Sequence, residues 1–150
     1  MYYIWKVNWY QWFENQSKKI AILNFGARLN ECLIAQERLS KKGIYITIVD
    51  ARFSKPLDEN LIWQIAIDHE AIITIEEGSI GGFGSHVGQF LTDKNLLDNN
   101  LKYRSMILPD RFINHDKPEL MYKYAGLDAK SIETKVLDTL NSKVVIKKTN

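Results

Sequence analysis

Short runs of apolar residues recur along the chain and alternate with stretches in which apolar residues fall three or four positions apart. The runs occupy residues 20–25, 44–49, 71–75 and 103–108. A run of this length without polar alternation is typical of a strand that is buried on both faces of a sheet. The pattern therefore predicts four buried strands separated by helices.

The stretches between these runs carry apolar stripes at helical spacing, and each stripe predicts a helix with one buried face. Asp58 and Asp128 precede two of the stripes, where a carboxylate can accept hydrogen bonds from free backbone N–H groups. Gly43 follows another stripe, at a position typical of the residue after a helix end. The stripe positions are Leu29, Cys32, Leu33, Gln36 and Leu39, then Leu61, Ile62, Ile65 and Ala66, then Val87, Phe90 and Leu91, and finally Ile132, Val136, Leu137 and Leu140.

Apolar strands that alternate with helices indicate an α/β sandwich, in which helices cover both faces of a largely parallel sheet. The beginning of the chain differs, because seven aromatic residues fall between positions 2 and 13 in an alternating pattern. This pattern predicts a strand with one apolar face, added at an edge of the sheet or antiparallel to it. We therefore divide the chain into an aromatic lead-in at 1–19, a domain at 20–141 and a flexible tail at 142–150.

Composition and charge narrow the class of protein. The chain has 45% hydrophobic and 25% charged residues, with a formal net charge of +2. Its basic clusters, at residues 41–42 and 143–148, are too short to indicate nucleic-acid binding. No apolar run is long enough to span a membrane, and the N-terminus does not resemble a signal peptide. The single cysteine, Cys32, lies on an apolar stripe, which predicts a buried, inert thiol and a cytoplasmic location.

The best local candidate for a site is the glycine-rich stretch EEGSIGGFGSH at residues 76–86, which follows a strand and precedes a helix. Such a turn lies at the carboxyl edge of the sheet, where α/β proteins bind ligands and helix N–H groups favour anions. The spacing matches neither phosphate-binding glycine motif, and the two leading carboxylates repel an anion. We weigh a weak anion-binding turn against a tight turn packed on a neighbouring domain. The residues concerned are Glu76, Glu77, Gly81, Gly82, Gly84 and Ser85.

The three histidines do not indicate a metal site, because none has a cysteine or histidine partner at ligand spacing. We expect a structural role for His69 at the end of a helix. His86, directly after the glycines, is the one histidine that we consider as an acid or base. Its neighbour Ser85 is not part of a nucleophile-elbow motif, so a catalytic pair of these two residues is not predicted.

Four segments, in this order, resemble the C-terminal domain of 1-deoxy-D-xylulose-5-phosphate synthase, a thiamine-diphosphate enzyme of the transketolase class. The sequences RFSKPLD and LPDRFINH, in this order and spacing, are specific to that family. Together the segments cover residues 19 to about 140, nearly the whole chain. The segments are 19–26 (KIAILNFG), 50–58 (DARFSKPLD), 76–85 (EEGSIGGFGS) and 108–115 (LPDRFINH), followed by 126–128 (GLD).

The resemblance implies a three-layer α/β/α sandwich around a five-stranded, mostly parallel mixed sheet. It also implies that thiamine diphosphate and Mg²⁺ are bound by two other domains, so that this chain alone carries no catalytic, cofactor-binding or metal-binding residue. In that family this domain supports dimer contacts and the packing of its neighbours. We expect the glycine-rich turn and the segment formed by Pro109, Asp110, Arg111 and Phe112 to contact a neighbouring domain or subunit.

The main hypothesis is a fragment or stand-alone form of this synthase domain, inactive alone. The full enzyme condenses pyruvate with D-glyceraldehyde 3-phosphate and supplies isoprenoid, thiamine and pyridoxal synthesis. The missing domains would lie on the same or another chain, or be lost in a relic gene, and a homodimer is compatible with the family. One alternative is a small-anion-binding module at the glycine-rich turn. Another is an interaction domain that dimerises through Trp5, Trp9 and Phe13 of the aromatic strand.

Overall fold

Five strands form one mixed sheet in the computed structural model, which describes residues 10–13 and 19–142. From one edge to the other the order is β1, β3, β2, β4 and β5, with β1 antiparallel to β3 and the other neighbours parallel. This confirms the mostly parallel, five-stranded sheet. The aromatic pattern also covers residues 1–9, which lie outside the described residues, as does the tail from residue 143. The strands are β1 (Tyr10–Phe13), β2 (Ile20–Phe25), β3 (Thr47–Ala51), β4 (Ala71–Glu76) and β5 (Lys102–Met106).

Helices cover both faces of this sheet, which makes three layers. Helices α1 and α5 pack on one face, over a core that includes Ile22, Ile48 and Ile73. Helices α2 and α3 pack on the other face, over Leu23 and Ile72 among others. None of the helices in the described part of the chain is long and apolar enough to cross a bilayer. The helices are α1 (Leu29–Ser40), α2 (Glu59–Asp68), α3 (Phe83–Asp93), α4 (Pro118–Ala125) and α5 (Ala129–Asn141), and a short 3₁₀ turn covers Leu96–Asn99.

The predicted helix boundaries are confirmed at three positions. The Asp58 carboxylate accepts the Leu61 N–H at 3.0 Å, and the Asp128 carboxylate accepts the Ser131 N–H at 3.1 Å. Gly43 has a φ of +74°, a conformation that glycine adopts at little cost, and it follows the end of α1.

Some boundaries and one helix differ from the prediction. Strand β3 begins at Thr47 rather than at Ile44, because the Ile44 N–H bonds to the Leu39 carbonyl in the turn that closes α1. Strand β5 ends at Met106, two residues before the end of the predicted run, and it is not buried on both faces as predicted, because Arg104 and Ser105 are exposed at this edge of the sheet. Helix α4 was not predicted, since none of its residues is buried and it therefore lacks a strong apolar stripe.

Cys32 is fully buried between α1 and the sheet, as predicted. Burial, with a smaller contribution from the charge of Asp50, raises the pKa of its thiol from 9.0 to about 12. The thiol is therefore held in its protonated, unreactive form at neutral pH.

Removal of the cap at the start of α5 is expected to destabilise the protein. Asp128→Ala should lower the free energy of unfolding by about 1 kcal/mol, because the Ser131 N–H loses its acceptor. Asp128→Asn should retain most of the stability. Asp138→Ala, an exposed site later in the same helix, is the control and should change little. Urea unfolding measures all three variants, and an equal loss for Asp128→Ala and Asp138→Ala would contradict the cap.

The buried thiol predicts a loss of stability in alkali. An acid whose pKa is raised in the folded state stabilises it below the unfolded pKa, here 9.0, and this contribution disappears as the pH rises toward 12. Between about pH 9 and pH 10 the wild type should lose about 1 kcal/mol more stability than Cys32→Ala. Urea unfolding measures both proteins across this pH range. If their free energies of unfolding changed equally with pH, Cys32 would not contribute to the loss of stability.

Candidate functional site at the carboxyl edge of the sheet

The predicted glycine-rich turn lies where the topology of the sheet reverses. Strands β2 and β4 are neighbours, and their carboxyl ends meet at Phe25 and Glu76. The chain continues from β2 into α1 on one face and from β4 into α3 on the other. In doubly wound α/β proteins the crevice between two such diverging loops is the usual ligand site.

The Glu76 carboxylate occupies the start of α3. Its side chain is only 4% exposed, and it accepts the N–H of Phe83 at 3.0 Å and the N–H of Gly84 at 2.8 Å. A negative charge at this position is favourable, because the free N–H groups of the first turn carry partial positive charge. The N–H groups that would bind an anion are thus already bonded to a carboxylate of the chain itself.

The same carboxylate explains two of the glycines. A Cβ atom at Gly82 would lie 2.3 Å from Oε2 of Glu76, and a Cβ atom at Gly78 would lie 2.6 Å from it. Gly81 has a φ of +98°, which side chains other than glycine rarely adopt. Gly84 is constrained by a different residue, because a Cβ atom at this position would lie 2.7 Å from Thr74 Oγ1. The glycines therefore fit a tight turn around Glu76 better than an anion-binding loop.

Other hydrogen bonds within the domain also hold the turn. Ser85 Oγ accepts the Gly81 N–H at 2.8 Å, so this hydroxyl holds the turn. The Tyr103 hydroxyl donates to the Gly84 carbonyl and lies 3.0 Å from Thr74 Oγ1. Burial raises the pKa of Tyr103. These bonds fix α3 to β4 and β5.

A second cluster joins three segments of the chain at this edge. Arg28, which precedes α1, places Nε 2.8 Å from Oε1 of Glu77, and the side chains of both residues are mostly buried. The Arg28 guanidinium also lies over the ring of Tyr122 in α4, 3.5 Å from its centroid. A hydrogen bond to the Glu77 carboxylate, together with burial, raises the pKa of the Tyr122 hydroxyl. Glu77 therefore holds α4 and the start of α1 against the turn.

A third contact links the ends of β2 and β3. Asn24 is fully buried, and its Nδ2 donates to Asp50 Oδ1 at 2.6 Å and to the Gly26 carbonyl at 3.0 Å. Among the described residues, three buried side-chain polar atoms lack a hydrogen-bond partner, and all belong to this edge. They are Asn24 Oδ1, Arg28 Nε and Glu77 Oε1. The last two still form the ion pair, without the alignment of a hydrogen bond.

The predicted contact segment after β5 lies beside the turn. The Leu108 N–H donates to the Gly78 carbonyl at 2.9 Å, and Pro109, Asp110, Arg111 and Phe112 follow directly. Arg111 donates to the Tyr124 carbonyl at 3.2 Å. Phe112 is fully exposed, and Ile80 in the turn is 80% exposed. The structure thus brings both predicted segments together and leaves an apolar side chain of each in solvent.

The three histidines lie in different parts of the fold. His69 Nδ1 lies 2.9 Å from the Ile65 carbonyl, and Nε2 lies 2.9 Å from Thr47 Oγ1, so the ring closes the end of α2 as predicted. His86 lies in α3, and His115 is exposed after β5.

Sequence reasoning missed Asn24, Arg28, Asp50 and Tyr122 as members of this edge. A signal was present for the first three, because each is a polar residue at or just after the carboxyl end of a predicted strand. No signal marked Tyr122, because the helix that carries it was not predicted.

The residues of this edge do not fit a diphosphate or a metal ion. A diphosphate at the start of α3 would meet the Glu76 carboxylate, which already fills that position. In the part of the chain that the structure describes, no group of three His, Cys, Asp or Glu side chains is placed to hold a metal ion.

The contact between Glu76 and Gly82 is testable by a double-mutant cycle. Gly82→Ala should destabilise the protein by about 1–3 kcal/mol, because the new Cβ collides with Oε2. In a Glu76→Ala background the same change should cost much less, since the collision is gone. Thr92→Ala, at an exposed position late in α3, serves as the control in both backgrounds. Thermal unfolding measures the cycle, and an equal cost of Gly82→Ala in both backgrounds would rule out the proposed constraint.

Comparison with known proteins gives consistent results. A family model described as "Transketolase, C-terminal domain" matches residues 12–132. A solved split-gene transketolase, described as an inactive β4 tetramer, is 27% identical with a TM-score of 0.73, over 83% of this chain and 40% of that chain.

Two full transketolases share the fold at lower identity. A Pichia stipitis transketolase solved with xylulose-5-phosphate is 18% identical with a TM-score of 0.63, over 88% of this chain. Transketolase from Campylobacter jejuni subsp. jejuni NCTC 11168 is 13% identical with a TM-score of 0.64, over 87% of this chain. This chain spans 18% of each of those proteins and 40% of the split-gene protein. By the family match over most of its length and by its sheet topology, the chain belongs to the transketolase C-terminal domain family.

Proposed function

We propose that this chain is the C-terminal domain of a 1-deoxy-D-xylulose-5-phosphate synthase, present as a fragment or as a separate subunit in the cytoplasm. Its function is to pack against the thiamine-diphosphate-binding and Mg²⁺-binding domains of that synthase and to support their dimer. Those domains lie on the same or another polypeptide. Alone, the chain is inactive.

The observation that carries this proposal is the position of the four synthase-like segments. Residues 19–26 form β2 and the turn after it, and residues 50–58 run from the end of β3 to the cap of α2. Residues 76–85 form the glycine-rich turn, and residues 108–115 follow β5. All four reach the carboxyl edge of the sheet. Residues 19–26 are mainly a buried strand, but the other three segments consist largely of loops at this one edge, which supports a shared packing partner there in addition to a shared core.

The chemistry of this edge supports packing. Ile80 and Phe112 are exposed apolar side chains on two loops joined by the bond between the Leu108 N–H and the Gly78 carbonyl. Burying each of them against a neighbour would contribute about 1.5–3 kcal/mol. The small-anion alternative receives no such support, since Glu76 occupies the N–H groups of the turn.

The similarity to a split-gene transketolase supports a partner on another chain. That protein is described as an inactive β4 tetramer. For this chain, we infer that the companion polypeptide supplies the cofactor-binding domains.

A reconstitution experiment tests the proposal. The chain is mixed with two enzymes truncated before their transketolase C-terminal domains, one a 1-deoxy-D-xylulose-5-phosphate synthase and the other a transketolase. With thiamine diphosphate and Mg²⁺ present, we expect the chain to bind the truncated synthase and to restore formation of the synthase product. We expect the chain alone to form no product. Product formation by the chain alone would refute the proposal, and restoration of transketolase activity only would refute the synthase assignment.

Matched substitutions locate the contact. Ile80→Asp and Phe112→Asp should each weaken binding to the truncated synthase by about tenfold or more, because a charge is buried where an apolar group packed. Ile67→Asp is the control, since Ile67 is also exposed but lies in α2, near the opposite end of the sheet. Circular dichroism verifies that all three variants fold. Equal effects of the three substitutions would place the contact elsewhere.

A further inference from the structure

Within the part of the chain that the structure describes, the last strand of the sheet has an open side. Strand β5 pairs only with β4 among the described strands. The Lys102 N–H bonds to the Glu70 carbonyl on the β4 side, so the backbone groups of Arg104 and Met106 point the same way. Because these groups alternate along a strand, those of Tyr103 and Ser105 point to the open side.

A groove lies beside the end of this strand and is bounded by α5. It encloses about 460 Å³ between the end of β5 and the beginning and middle of the helix. Lys102 Nζ donates to the Thr139 carbonyl at 3.0 Å and so fixes the end of α5 beside the start of β5. The groove is lined by Ser105 and Met106 from the strand and by Lys130, Thr134, Lys135 and Asp138 from the helix, among others.

The surroundings of this groove are basic. Lys130 and Lys135 of α5 line the groove, and Asp138 is the one carboxylate among the described residues that line it. Lys102 and Arg104 belong to the adjacent strand β5. Arg104 is exposed, and its Nη1 donates to the Tyr103 carbonyl at 2.7 Å. Arg104 therefore covers one open carbonyl of the edge, a common protection of edge strands by charged side chains.

We propose that the open side of β5 binds an extended acidic segment of a separate polypeptide as a sixth strand of the sheet. The segment bonds to the backbone groups of Tyr103 and Ser105, and its carboxylates pair with the surrounding lysines. A carboxylate that pairs with Arg104 also releases the Tyr103 carbonyl for the incoming strand. A second copy of β5 is a poor occupant, because it would bring Lys102 and Arg104 against like charges. This surface is distinct from the carboxyl edge of the proposed function.

A fluorescent peptide tests the proposal with the full chain. The probe is an acidic peptide of alternating glutamate and valine, and fluorescence anisotropy measures binding. We expect the matching lysine–valine peptide to bind at least about tenfold more weakly than the acidic peptide. Added salt should weaken binding of the acidic peptide. Equal binding of the two peptides, or no binding of the acidic one, would overturn the proposal.

One substitution separates strand pairing from simple charge attraction. Ser105→Pro removes an N–H that points to the open side, which edge strands tolerate, and should weaken binding of the acidic peptide by about tenfold. Ser105→Ala should bind like the wild type. An unchanged affinity in a Ser105→Pro variant that melts like the wild type would overturn the proposal. If that variant does not fold, an acidic peptide methylated at every backbone nitrogen provides the test, because it cannot donate hydrogen bonds to a strand. Binding of this peptide to the wild type as tightly as the unmodified peptide would also overturn the proposal.

Charge reversal locates the groove. The double substitution of Lys130→Glu and Lys135→Glu should weaken binding of the acidic peptide by about tenfold. Lys94→Glu is the control, because Lys94 is also exposed but follows α3 on the other face of the sheet. Equal losses for the two variants would show a general charge effect and overturn the assignment of the groove.

Discussion

The hydrogen bonds between the buried Glu76 carboxylate and the first turn of α3 determine the shape of the carboxyl edge. Glu76 is 4% exposed, so its carboxylate has lost hydrogen bonds to water. Hydrogen bonds from the N–H groups of Phe83 and Gly84 replace them. The side chain has to fold back over the turn to reach them. Gly78 and Gly82 are required where it does so, because a Cβ at either position would overlap its oxygen. Two glycines of the turn, Gly78 and Gly82, are thus a consequence of one capping contact.

The same arrangement closes the crevice in which related topologies hold ligands. Between the loops after β2 and β4, Arg28 and Glu77 form an ion pair under the ring of Tyr122. A mostly buried pair contributes little net stability, since desolvation offsets much of the attraction. Its effect is positional, because it joins the start of α1, the turn and α4. A surface built from such joined loops is suited to packing against another protein domain.

The sheet and its two helical layers could be predicted because β2 and β4 are apolar throughout and the helices carry regular stripes. The caps at Asp58 and Asp128 could be predicted because their chemistry is local. The contacts of the edge depend on which strands are neighbours, which no short pattern specifies. Helix α4 escaped prediction because it lies on the surface and buries no residue, although Tyr122 links it to Arg28.

The hydrogen bonds of the carboxyl edge also fix the segments that carry its exposed apolar residues. Ile80 lies in a turn held by Glu76 and by the bond between the Gly81 N–H and Ser85 Oγ. Phe112 follows a segment tied to that turn through the Leu108 N–H. In the proposed complex, association would order few additional backbone groups, so more of the free energy of burying the two side chains would be retained as affinity. If this edge packs as proposed, the bonds that occupy the N–H groups of the turn also hold in place the two side chains that would meet the partner.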